Sequence, residues 1–247
     1  ENRMRRKDPE RLATLADAAL AVFTERGYRL TQVADIAAAA GVSAGSIYNY
    51  AEGKDALLKL AVLHAAGRLS EVTPPLAAPG LDGVVELIDA ILTPETLEWP
   101  VLTPAGQNPA LPFRETLSAI VDETFAFLSA RYRLIWLLDR LSLEMDAVRD
   151  IHVLGAKTRY LKGLVAFLAL HIRDDEAAVA AMARGILEVI VWFAMHRHRD
   201  RLFPALGDER ALALARRLVL DGAGRVPRQA PCNHRPAAGG FARAAAC

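Results

Sequence analysis

Apolar positions recur along this chain mostly at spacings of three and four, the period of one face of an α-helix. Leu12, Leu15, Ala16, Ala19 and Phe23 make such a face and predict a helix over about Pro9 to Arg26, with Gly27 as its C-terminal cap. Short helices fit Gln32–Ala40 and Ala44–Tyr50, and a longer one fits Lys54 to about Leu69. Leu81–Leu92 reads as a further helix. Phe113–Ala130 carries Phe113, Leu117, Ile120, Val121, Phe125 and Leu128 on one side. Leu134–Val148 and Asp150–Ile172 are amphipathic. Asp174–His196 is apolar on most sides, with Arg184 and Glu188 as an i,i+4 ion pair, and so predicts a helix buried on several sides. Asp208–Leu220 is the last predicted helix. Runs of strict alternation are few, so the fold class is all-α.

Proline placement sharpens this division. Eight of the 13 prolines lie between Pro74 and Pro112, and none falls in the 91 residues from Phe113 to Phe203, where long helices can run. Thr73–Gly80 reads as a linker or sharp bend, and Thr93–Pro112 as an irregular connection, which in a compact domain is usually functional.

At 247 residues and 53% apolar composition the chain has enough material for a packed core. Thirty basic against 29 acidic side chains leave a net charge of +1, which excludes a wholly basic nucleic-acid coat. A basic arm (Arg3, Arg5, Arg6, Lys7) precedes the first helix, and residues 225–247 have the Gly, Pro, Ala and Arg composition of a disordered tail. Two cysteines, Cys232 and Cys247, exclude a disulfide framework. The longest apolar stretch, Gly185–Met195, contains Glu188 and falls short of the ~20 residues of a membrane span. The expectation is a cytoplasmic protein with no membrane partner.

The chemistry concentrates in Leu30–Leu58. Two short helices meet at Ala40-Gly41-Val42, where Gly41 can take positive φ and Ser43 can cap the second helix. Val33, Ile36, Ala37, Ala40, Val42, Ile47 and Tyr50 are placed to pack inward. This is the layout of a helix-turn-helix, whose second helix enters the DNA major groove. Ala44, Gly45, Ser46, Tyr48 and Asn49 then face outward. Asn49 can read adenine, Ser46 a base or phosphate, and Tyr48 and Lys54 can contact phosphates. Thr31, Gln32, Ser43 and Tyr50 complete the candidate DNA-binding set, with Thr31 capping the first helix of the pair or touching backbone.

From Arg11 to about Leu60 the sequence resembles the DNA-binding domain of the TetR family of bacterial transcriptional regulators. The matching residues are Ala18–Phe23, Gly27-Tyr28, Thr31, Val33, Asp35-Ile36-Ala37, Ala40-Gly41-Val42-Ser43, Gly45-Ser46-Ile47-Tyr48, Tyr50, Lys54 and Leu57-Leu58. The resemblance implies an N-terminal three-helix domain over residues 1–60 and a multi-helix effector-binding and dimerisation domain over residues 61–224. It implies a homodimer on a palindromic operator in double-stranded DNA, released by a small molecule, with repression favoured over activation. The helix that begins at Lys54 would transmit the signal. Three positions depart from the family pattern. Ala51 replaces a customary aromatic, Ala44 a frequent basic residue, and Gln32 a frequent Thr. An unfilled hole at Ala51 would cost ~3–5 kcal/mol.

Trp99, Phe125, Trp136, Tyr160 and Phe167 are the candidate effector-cavity residues, and an apolar or aromatic effector is the expectation. No Gly-rich phosphate loop, HExxH or GxSxG occurs, and His196 and His198, at i and i+2, do not face each other as a metal pair would. No cofactor, metal site or enzymatic activity is expected. The alternatives are a helical ligand-binding dimer that has lost DNA binding and a small helical enzyme.

Overall fold

A computed structural model describes residues 9–94, 97–202 and 205–223. The basic arm and the tail at 225–247 lie outside the described residues. The chain forms eleven α-helices among the described residues: α1 (Pro9–Leu30), α2 (Val33–Ala39), α3 (Ala44–Ile47), α4 (Lys54–Ala65), α5 (Gly80–Leu92), α6 (Leu102–Ala105), α7 (Phe113–Ser142), α8 (Asp146–Arg149), α9 (Thr158–His171), α10 (Glu176–Ala194) and α11 (Asp208–Ala223). A π-helical stretch, Asp150–Lys157, leads into α9.

Two apolar clusters organise these helices. One joins Leu15, Phe23, Ile36, Ile47, Leu57 and Leu60 from the first four helices to Ile88 of α5 and to Leu134, Leu137 and Leu141 of α7. The other joins Leu117, Ile120 and Phe125 of α7 to α9, α10 and α11. Helix α7 therefore belongs to both.

Its 30 residues run unbroken where the sequence pattern predicts two helices parting near Ala130. The apolar face is interrupted there by Arg131 and Tyr132, but Ala130–Arg133 contains no Gly or Pro, so the backbone continues. Conversely, Asp150–Ile172 is not one regular helix. Its first eight residues widen to π geometry, and the Thr158 hydroxyl donates to the Val153 carbonyl at 3.0 Å.

Helix α10 corrects another expectation. Glu176–His198 is long and apolar enough to cross a membrane by length and composition, with mean hydropathy 1.8. Its Val179, Ala183, Ile186, Leu187 and Ile190 are instead buried in the second apolar cluster, beside α7, α9 and α11.

Ala51 is closed off from solvent. It is 0% exposed, and it forms a parallel bridge with Leu76 from the Pro-rich segment after α4. The Leu76 N–H donates to the Tyr50 carbonyl at 2.8 Å, and the Glu52 N–H donates to the Leu76 carbonyl at 3.0 Å. Leu76 packs against the first cluster, so a residue 25 positions further on supplies bulk that the local sequence lacks. Ala51→Phe is therefore expected to overpack this site and destabilise the protein by about 1–3 kcal/mol. Adding Leu76→Ala should recover part of that loss, as read by urea denaturation of the two variants.

Candidate nucleic-acid interface and ligand cavity

The turn between α2 and α3 closes through local backbone bonds. Gly41 sits at φ +66°, and the Val42 N–H donates to the Ala37 carbonyl at 3.0 Å. Ser43 caps α3 by accepting from the Ser46 N–H at 3.2 Å, and the two hydroxyls lie 2.7 Å apart. Ile47 is fully buried and anchors the helix. Ala44, Gly45, Tyr48 and Asn49 consequently face outward, Tyr48 with 57% of its surface exposed. Around Gly45 an added Cβ would meet nothing nearer than the Ser43 hydroxyl at 4.0 Å, so its backbone lies open to approach.

The remaining sequence-predicted residues are placed differently. Thr31 is 1% exposed, and its hydroxyl donates to the Gly27 carbonyl at 2.6 Å, so it ends α1 rather than facing outward. Gln32 precedes α2, its N–H donating to the Asp35 carboxylate at 2.8 Å. That bond and Arg26, 2.8 Å away, hold the Asp35 carboxyl below its usual pKa. Tyr50 is half-buried against the core. The Lys54 ammonium lies 4.2 Å above the Tyr28 ring and 3.4 Å from the Arg29 carbonyl. The Tyr28 hydroxyl in turn donates to Asp55, and burial and that carboxylate push its pKa up. Arg11 is a basic residue that the motif reading missed. It borders a groove shared with Gly41, Ser46 and Tyr50, brought there because α1 crosses the turn.

Helix α1 is fastened to α7 at two places. Near its middle, Asp17 meets Arg133 at 2.5 Å and His64 of α4 at 2.9 Å. Burial pushes the Asp17 carboxyl up, but the bonds and charges of Arg133 and His64 outweigh it and hold the pKa below its usual value. At its end, Gly27 adopts φ +79°, and the space a Cβ would fill is taken by the Glu144 carboxylate. The Arg29 N–H donates to that carboxylate at 2.8 Å, and the Arg29 guanidinium donates to the Glu144 carbonyl at 3.0 Å. Arg140 donates to the Arg26 carbonyl at 2.6 Å.

The other face of α7 lines a cavity of about 310 Å³, near the lower end of ligand-pocket sizes of roughly 300–1,000 Å³. Thr124, Leu128, Arg131, Ile135 and Leu138 form one helical stripe along it. The π-helical stretch contributes His152, Ala156 and Lys157; such stretches recur at functional sites. Of the five predicted aromatics, Trp99 and Tyr160 reach this cavity, with rings 4.7 Å apart edge to face, and Trp99 also lies 4.6 Å from Phe127. Phe125 and Phe167 are buried in the second apolar cluster, and Trp136 packs beside it under the Arg199 guanidinium at 3.7 Å, none of the three in the lining. A second cavity of about 480 Å³ shares Leu97, Trp99, Ala156 and Tyr160 with the first. The sequence signal missed here is the polar break in the α7 stripe. Thr124 and Arg131 fall where a core helix would carry apolar residues. Among the described residues no group of His, Cys, Asp and Glu forms a metal site.

The model for bacterial regulatory proteins of the tetR family matches residues 15–61. The HTH-type transcriptional repressor KstR2 of Rhodococcus jostii (strain RHA1) is 28% identical over 130 residues, 51% of this chain and 62% of that protein. The match thus spans less than two thirds of that relative's length. Among solved structures, the probable transcriptional regulatory protein RHA5900 superposes with TM-score 0.50 at 19% identity, over 84% of this chain and 96% of that one. A TetR-like transcriptional regulator from Rhodococcus sp. RHA1 gives TM-score 0.48 at 20% identity, over 87% and 97%. The likeness to RHA5900 is one of fold.

Two glycine substitutions should separate backbone strain from lost contact. Gly41→Ala, where nothing lies within 4 Å of the new Cβ, should cost about 1–2 kcal/mol. Gly27→Ala should cost that and, through expulsion of Glu144, about 1.5–3 kcal/mol more; equal losses in chemical denaturation would exclude the Glu144 contact as a stabilising one. For Asp17 the sign follows from its lowered pKa: its stabilisation is present above the unfolded-state value and lost as pH falls through the folded one. The stability gap between the native chain and Asp17→Asn should be full near neutrality and close below about pH 4. Urea titrations across that range check it.

Proposed function

We propose that the chain is a member of the TetR family of bacterial regulatory proteins, whose model matches residues 15–61, and that it is a homodimeric transcriptional repressor released from a palindromic operator by a small molecule. Residues 1–60 bind DNA, and residues 61–224 bind the effector and the second subunit, α10 and α11 pairing with their copies. The site of action is cytoplasmic DNA. The observation that carries this reading is that one helix, α7, both lines the cavity and holds the helix on which the helix-turn-helix rests.

The exposed face of Ala44, Gly45, Tyr48 and Asn49 has the size and chemistry for a major groove, with Asn49 reading a base edge. Tyr48 and Lys54 contact phosphates, which set register and affinity but not sequence. Leu76 at Ala51 supports the same reading, because Ala51 is fully buried without the customary aromatic.

Release follows from geometry. The two recognition helices of a dimer must lie about 34–36 Å apart, or a multiple, to enter successive grooves. Along α7, Arg131 at the cavity and Arg140 at the α1 latch are nine residues apart, about 14 Å at 1.5 Å per residue. A ligand that tilts or shifts α7 therefore moves α1 directly, alongside any path through α4. It does so only as far as it binds the displaced form more tightly.

Selection of duplexes from a random library at ~0.15 M salt, where non-specific binding is weak, tests the reading. An enriched palindrome is expected, and folded, ligand-free dimer that enriches none sinks it. Tyr48→Ala and Lys54→Ala should weaken binding to all duplexes, whereas Asn49→Ala should relax preference at one base position by about 1–3 kcal/mol.

A further inference from the structure

The charges around the α7 cavity do not cancel. Among the described residues, the two lining carboxylates each already hold a partner. Glu188 lies 2.5 Å from Arg184, and Asp139 lies 2.9 Å from His152. The neutral polar pair is also satisfied, because the Thr124 hydroxyl donates to the Ile120 carbonyl at 2.7 Å and accepts from the Tyr160 hydroxyl at 2.7 Å. Two cations remain. Arg131 rests on the Phe127 ring at 4.5 Å, a contact that uses its charge but none of its five N–H donors. Lys157 reaches the lining from the π-helical stretch. Neither has a carboxylate within ion-pair distance among the described residues.

The walls around them are apolar: Leu92, Leu97, Trp99, Leu134, Ile135 and Leu187. Arg131 is exposed and Lys157 half-buried, so a purely apolar ligand would offer neither an acceptor and would displace part of their water, which is unfavourable. A cationic ligand would be repelled by them and would have to break an existing ion pair to find a carboxylate. An anion on an apolar body satisfies both features, because it supplies the acceptors and fills the walls.

We propose that the effector is an amphipathic anion, its acidic group held by Arg131 and Lys157 and its apolar body packed along the α7 stripe and Trp99. This rests on the reading of the cavity as the effector site and corrects the expectation of a merely apolar or aromatic ligand. Arg131 also sits on the same helix, two residues before Arg133, which holds Asp17. An anion drawn to Arg131 thus acts on the segment of α7 that fastens α1.

The test uses the full chain and three probes of one length: octanoate, octanol and octylamine. Binding is followed by calorimetry at pH 7 and ~0.15 M salt. Octanoate should bind about tenfold more tightly than octanol, a difference of about 1.4 kcal/mol, and octylamine more weakly than either. In Arg131→Gln/Lys157→Met, octanoate should fall to the level of octanol while octanol binding is retained, which also shows that the cavity is still formed. Lys157→Met alone should give an intermediate preference if the double variant does not fold. Equal affinity of the native chain for octanoate and octanol, a preference for octylamine, or a carboxylate preference that survives loss of both cations overturns the proposal. DNA binding is measured in parallel. Octanoate preference without any effect on a bound duplex supports the anion site and removes the repressor reading instead.

Discussion

The side chain missing at Gly27 makes room for one of the two polar attachments between α1 and α7. With φ at +79° the backbone kinks within the last turns of α1, and the Glu144 carboxylate enters the volume a Cβ would occupy. From there it reaches the Arg29 N–H, while Arg140 from the preceding turn of α7 takes the Arg26 carbonyl. Helix ends leave carbonyls and N–H groups without intrahelical partners. Here α7 supplies partners at the end of α1, so the unmet hydrogen bonding of one helix becomes the attachment of another. Thr31 completes the arrangement from within the chain by capping the Gly27 carbonyl.

That attachment gives α7 two tasks on two faces. Arg133 and Arg140 face the helix-turn-helix domain, while Thr124, Leu128, Arg131, Ile135 and Leu138 face the cavity. A continuous 30-residue helix is stiff over the ~14 Å that separates Arg131 from Arg140, so a displacement at one is felt at the other. A hinge at residues 131–133, which the apolar pattern predicts, would have uncoupled them. The opposite wall is built from softer material. The π-helical stretch around His152 and Lys157 departs from regular geometry where it meets the cavity, and the Trp99 segment comes from the Pro-rich connection before α7.

The Pro-rich segment after α4 shows how remote sequence repairs a local deficit. Read locally, Ala51 is a loss of core volume in the helix-turn-helix domain. In three dimensions Leu76 pairs with it, and the domain's core closes with residues from both sides of residue 60. The proposed boundary between the domains is thus a functional division laid over a shared core.

Local chemistry in the sequence determined the helix-turn-helix. Gly41 at its turn, Ser43 as cap and Ile47 as anchor act within a few residues of one another, and each behaves in the structure as its chemistry requires. The all-helical class and most helix positions were legible for the same reason, since period and proline placement are local properties. Tertiary structure alone decided which aromatics face the cavity, because Phe125 and Phe167 sit on apolar helix faces like those of many core residues, whereas Trp99 comes from the irregular Pro-rich connection. It decided as well that Leu76 covers Ala51, that Glu144 enters the space at Gly27, and that Arg131 and Lys157 meet at one cavity. Each of these joins residues 25 to 117 positions apart, a separation over which spacing rules carry no information.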